Sequence, residues 1–144
     1  MILNWEYGNK ISKDDIIVLE KQLGVKYPKD YVELVLNSDE ASPTLDCWDI
    51  PNGEKEKVFD HLISLSSENK NNVFNTYLVL KNEFGISSLI PFAVDPYGNY
   101  ICFLKSNMKV FYYNCDTFDN QNYIGEYVAD SFGEFIYSLY EYNE

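Results

Sequence analysis

Apolar residues recur at helical spacing near the start of the chain. Ile16, Leu19 and Leu23 share one face with Glu20, and Ile17 sits beside them. Ser12 stands where an N-cap belongs, with Asp15 three residues on as a short capping box. Asp14 and Asp15 put negative charge in the first turn, and Gly24 suits a left-handed C-cap. Together these positions predict a first helix. A second follows at once, with Pro28 as its first residue and Asp30 in its first turn. Tyr27 is placed to staple onto Tyr31; Tyr31, Leu34 and Val35 mark the inward side, and Asn37 and Ser38 end the helix.

The pattern then changes period. Residues 37–43 are polar and read as a loop. Residues 45–50, carrying Cys47 and Trp48, predict a strand, and Pro51-Asn52-Gly53 a turn. Strand-like segments follow at 57–59 and 62–65. Residues 66–72 are a polar stretch that either caps a helix or connects loosely. Val73, Phe74, Tyr77, Leu78 and Leu80 form a half-regular helical patch. Residues 89–94, 100–104 and 110–113 are short apolar runs separated by turn residues, among them Asp95-Pro96-Tyr97-Gly98-Asn99. They predict an antiparallel meander covered by helices on one side. Ser131 and Glu134 make a capping box for a last helix, with Phe132, Phe135, Ile136, Leu139 and Tyr140 on its apolar face. Helices, then strands, then a helix give an α+β fold. A central antiparallel or mixed sheet packs against N-terminal helices and a C-terminal helix, as one domain over residues 1–144.

Composition narrows the function. The 144 residues hold 23 acids and 11 bases, a formal net charge of -12, and every base is a lysine. Without arginine or a basic patch, direct nucleic-acid binding is not expected. The acidic field instead favours a basic protein surface, although acidity also serves plain solubility. The three cysteines form no C-x-x-C unit and set no disulfide framework. Cys102 and Cys115 lie in apolar runs, where buried thiols are expected. No signal-peptide pattern and no membrane-length apolar run occur, so a cytoplasmic location is expected.

Candidate chemistry is sparse. His61 is the single histidine, and no nucleophile elbow, phosphate loop or metal-ligand spacing accompanies it. Asp116, Asp119 and Glu126 flank a polar segment that lacks the spacing and central glycine of a calcium loop. No catalytic residue, cofactor or metal is therefore assigned, and nothing sets a homo-oligomeric state. Aromatics near turns and acids make the best partner-binding candidates: Trp48, Tyr97, Tyr112, Tyr113, Tyr123 and Tyr127, with Asp116, Asp119 and Glu126. From residue 110 to the end the chain has acids and no base.

Four segments carry a resemblance. Residues Ile16 to Val25, reading I-x-x-L-E-K-Q-L-G-V, are followed by Tyr27-Pro28-Lys29-Asp30-Tyr31. Ile90-Pro91-Phe92-Ala93-Val94-Asp95 precedes Gly98-Asn99-Tyr100-Ile101-Cys102-Phe103, and Val128-Ala129-Asp130-Ser131-Phe132 precedes Glu134-Phe135-Ile136. In this order they resemble the SMI1/KNR4 (SUKH) superfamily over residues 12–140. Asn37-Ser38-Asp39-Glu40 and the strand at 110–113 depart from the family's usual residues. The resemblance implies an immunity protein of the bacterial type, binding a cognate secreted polymorphic toxin domain, often a nuclease, by occlusion. The Asn, Lys, Ile and Tyr bias fits an AT-rich bacterial genome. The alternative is an intracellular scaffold or regulator without a toxin partner, as in fungal relatives.

Overall fold

The computed structural model describes residues 2–117 and 122–142. The chain runs β1 (Trp5–Glu6), α1 (Lys13–Leu23), α2 (Lys29–Ser38), β2 (Ser42–Pro43), β3 (Cys47–Trp48), β4 (Lys57–Val58), β5 (His61–Leu62), α3 (Val73–Phe84), β6 (Leu89–Val94), β7 (Tyr100–Leu104), β8 (Val110–Tyr113), a 3-10 turn (Cys115–Thr117), β9 (Glu126–Ala129) and α4 (Phe132–Tyr137). Strands β5 to β9 form a five-stranded sheet in sequential order, every pair antiparallel. β1 pairs with β2 and β3 with β4 outside it. The α+β architecture expected from the sequence is the one observed.

Local chemistry explains the helix starts. Ser12 Oγ accepts the Asp15 N–H (3.2 Å), and Asp15 returns the bond to the Ser12 N–H (3.1 Å). Gly24 closes α1 in the left-handed conformation at φ 69°. Glu20 Oε2 then accepts the Tyr27 N–H (2.7 Å), so the end of α1 holds the approach to α2. Pro28 is the N-cap of α2, not its first helical residue as expected. Its ψ of 143° is extended, while its carbonyl already accepts the Val32 N–H. The polar stretch before α3 acts as a cap, with Asn72 Oδ1 accepting the Asn75 N–H (2.8 Å).

The sheet is buried on both faces along β6 to β8, and not on one as expected, because Ile101 and Phe103 point one way and Cys102 the other, where α3 covers it. On one face, Tyr31 of α2 meets Phe92, Phe103 and Phe132 at 5.1–6.0 Å between ring centroids. On the opposite face Leu80 of α3 packs with Leu89, Cys102 and Tyr113. Cys115 is only half-buried, short of the expected burial.

Several elements differ from their sequence patterns, among them β1 and β2, which pair with each other where no strand was expected. The strand expected at 45–50 shrinks to Cys47–Trp48, because only this pair finds a partner in Lys57–Val58. β9 has no counterpart in the expectation: it is a short edge strand with a single buried residue, Val128. α4 stops at Tyr137, so Leu139 and Tyr140 lie beyond it. Tyr140 exchanges two backbone bonds with Cys47 (3.0 and 2.9 Å) and donates its hydroxyl to Asp49 Oδ1 (2.7 Å). That sheet-like pairing competes with further helix.

Candidate protein-binding surface

The nine sequence candidates divide by burial. Trp48, Tyr112 and Tyr113 are core residues with almost no accessible surface. Trp48 packs on Tyr112 and Phe135 at 5.3 and 5.6 Å. Tyr113 packs on Tyr123 and Phe84. These three offer nothing to a partner in the folded protein; nearness to turns in the sequence did not translate into exposure, because β3 and β8 lie inside the packed layers. Asp119 lies outside the described residues.

The other five lie around the β8–β9 side of the sheet. Tyr97 stands at the tip of the β6–β7 hairpin and is 81% exposed. The tip is pinned by Asp95, which is buried. Its Oδ1 accepts the N–H groups of Tyr97 (2.8 Å) and Asn99 (2.9 Å), and its Oδ2 accepts the Tyr112 hydroxyl (2.7 Å). Asn99 Oδ1 in turn accepts the Cys115 N–H (2.9 Å). This clips the hairpin tip to the turn that carries exposed Asp116, so Tyr97 and Asp116 belong to one end of the sheet. Tyr123 bridges the same end to β9: its hydroxyl accepts the Asn114 N–H (3.0 Å) and donates toward Glu126 Oε2 (3.5 Å).

Tyr127 serves the other end of β9. Its ring meets Phe111 edge-on at 6.0 Å and is 42% exposed. Its hydroxyl donates to Asp130 Oδ1 (2.6 Å), which pushes the Tyr127 pKa up to about 12. The same bond, with Lys109 Nζ 3.5 Å away, holds the Asp130 carboxyl below its usual range. Glu134 accepts the Asp130 N–H (3.3 Å). Asp130, and Glu134, which the sequence presents as a cap residue, thereby join the surface through Tyr127. The capping signal masked that second use.

Burial, with Asp116 and Asp95 adding to it, pushes the Cys115 thiol up to about 11, so it is no ready nucleophile at neutral pH. His61 is hydrogen-bonded through Nδ1 to Asp60 (2.6 Å) on the distant strand β5. Among the described residues no group of three or more His, Cys, Asp or Glu side chains is placed to hold a metal ion. No helix among them is long and apolar enough to cross a membrane.

Several apolar side chains outside the candidate set are exposed, and one of them, Ile17, was expected beside the inward stripe of α1. Ile17 and Val18 of α1 and Tyr137 of α4 are exposed, Tyr137 to 93%. The signal was present in the helical period: each lies off the face set by its buried neighbours.

Comparison with known proteins identifies the fold's relatives. The model of the SMI1 / KNR4 family (SUKH-1) matches residues 10–138. No curated protein matches the chain.

Proposed function

The chain belongs to the SMI1/KNR4 family (SUKH-1), and on that premise we propose that it is a cytoplasmic immunity protein. It binds the toxin domain of a cognate secreted polymorphic toxin and neutralises it by occlusion, as a single non-catalytic domain. The observation that carries this reading is the β8–β9 side of the sheet. Asp116 with the Tyr97 hairpin tip, Tyr123 with Glu126, and Tyr127 with Asp130 are spaced along it, in a part of the chain that from residue 110 on holds acids and no base, and Lys109 at its margin is paired with Asp130. Such a surface complements the basic face a nuclease turns to phosphate, and it speeds encounter with it. Exposed tyrosines supply rigid contact area inside the charged rim.

The test uses the toxin domain encoded beside this chain's gene. Wild type is expected to bind it and block its activity, with an association rate that falls as salt rises. Reversing charge at Asp116, Asp119 and Glu126 together slows that association and flattens its salt dependence. An unchanged rate at low salt would sink the steering idea, and a toxin domain that stays active in the presence of excess protein would sink the immunity reading.

A further inference from the structure

Among the described residues, two of the apolar grooves differ in their charges. One, of about 580 Å³, runs between α1 and α2 over Ile17, Val32 and Leu36; Lys13, Lys26 and Lys29 line it with Glu20 and Glu33. Its net lining charge is thus positive by one, three lysines against two glutamates. The other, of about 540 Å³, lies between the N-terminal strand and α4, over Trp5, Leu34, Phe132, Gly133, Ile136 and Tyr137. Its single charged lining residue is Asp30, and none of its described lining side chains is basic.

The α4 groove is built for close approach. A Cβ at Gly133 would stand 3.0 Å from Asp30 Oδ2, so glycine here lets α4 and α2 come together and keeps the floor low. Tyr137 rises at the edge with no hydrogen bond or ring contact among the described residues to hold it down, and it is 93% exposed. Glu134, one turn back on the same helix, is exposed and joins the groove to Asp130 and Tyr127 on the β9 side. An exposed tyrosine over an apolar floor, lined by Asp30 and bordered by Glu134, fits one kind of occupant; Lys109, beyond Asp130, is already paired with that carboxylate.

We propose that the α4 groove is the anchor site for the protein partner, taking an apolar side chain from a segment flanked by lysine or arginine. The proposal rests on the reading of this protein as a binder of a basic partner and names where the apolar contact is made. The charges decide the groove: a basic segment gains from Asp30 and Glu134 here, and meets a lining of net positive charge, three lysines against two glutamates, at the α1–α2 groove. The tyrosine folds down on the inserted side chain and excludes water from the neighbouring charge pairs, which is how an aromatic rim strengthens a central contact.

The probe is a short synthetic peptide with a Leu-Phe centre flanked by lysines, set against the same peptide with glutamates in their place. Binding is read from the indole N–H resonance of Trp5, which lines the groove, with that of buried Trp48 as an internal reference. The lysine peptide is expected to shift Trp5, and Tyr137→Ala to weaken its binding roughly tenfold or more. Because Tyr137 is nearly fully exposed, this substitution leaves the core untouched. Ile17→Ala, in the other groove, leaves binding unchanged.

Equal binding of both peptides, loss of binding on Ile17→Ala, no binding at all, or indifference to Tyr137→Ala would each overturn the proposal. Neither peptide carries toxin sequence, so such a result leaves the immunity reading standing. Conversely, a neighbouring toxin domain that fails to bind the wild type, while the lysine peptide still does, overturns that reading and spares the groove.

Discussion

The helical corner at residues 10–33 and the C-terminal part from residue 110 onward belong to one acidic protein and differ in how their charge is arranged. In the corner, Lys10, Lys13, Lys21, Lys26 and Lys29 balance Asp14, Asp15, Glu20, Asp30 and Glu33, so the formal charges cancel. From residue 110 on, Asp116, Asp119, Glu126, Asp130, Glu134, Glu141 and Glu144 have no base among them. The net charge of -12 is therefore unevenly spread along the chain. Solubility alone asks for no such asymmetry, whereas recognition of a basic surface does. Each part is also secured by a buried carboxylate. Asp39, after α2, accepts the Ser64 hydroxyl (2.6 Å) and the Leu65 N–H (3.0 Å), tying the helices to the β5 segment. Asp95 ties the hairpin to β8 in the same manner, with one bond more.

Removing these two ties gives the largest effects. Asp95→Ala leaves the Tyr112 hydroxyl and the Asn99 N–H without their partner and is expected to cost roughly 3 kcal/mol in denaturant unfolding. A loss near zero would mean that the hairpin tip is held by its turn alone. Asp39→Ala strands two donors and is expected to cost about 2 kcal/mol. The cost is smaller because burial, the largest influence on this carboxyl, raises its pKa, and the variant is spared that desolvation.

That raised pKa has a measurable sign. In the window between the ordinary carboxylate value and the higher folded value, native Asp39 binds more protons than unfolded Asp39 does. Its contribution to stability is therefore fully present at lower pH and lost as pH rises through the folded pKa. Asp39→Asn should remove that slope when unfolding is followed across mildly acidic pH. Asp49 and Asp130 work in the opposite sense. Hydrogen bonds from Tyr140 and Tyr127 lower their pKa values, so their contributions are present above the ordinary range and lost as pH falls through the lowered values.

Charge reversal tests the asymmetry itself. Glu126→Lys with Glu134→Lys is expected to slow association with the proposed basic partner roughly tenfold at low salt, while Asp14→Lys with Glu33→Lys in the corner changes it less than about twofold. Equal slowing by both pairs would show that net charge, and not its placement, governs encounter. The smallest effect lies at the seam between the two parts. The Tyr31 hydroxyl is buried with no hydrogen-bond partner among the described residues, while its ring packs on Phe103 and Phe132. Tyr31→Phe should keep the packing and raise stability by about 0.5–1 kcal/mol in the same unfolding measurement.

Much of the fold was legible because its signals are local. The Ser12–Asp15 box, Gly24, the DPYGN turn and the Ser131 cap each act within a few residues, and each does in the structure what its chemistry requires. β9 was not legible: one buried residue in four makes no period, and its strand geometry comes from pairing with β8. The end of α4 was misread for a related reason. Leu139 and Tyr140 continue the helical spacing, yet Tyr140 finds Cys47, some ninety residues away in sequence, and pairs with it as strand.

The sequence by itself determined the element types with local caps and turns, the family, the absence of a nucleophile–histidine pattern, and the one-sided charge of the C-terminal part. Tertiary structure decided which aromatics are surface. Trp48, Tyr112 and Tyr113 read like Tyr97 and Tyr127 along the chain, but β3 and β8 lie within the packed layers, whereas a hairpin tip and an edge strand lie outside them. It also decided that Leu34, Trp5 and Tyr137, drawn from opposite ends of the chain, border one groove. Caps and turns are short-range and can be read in order; burial and grooves are sums over partners that only folding brings together.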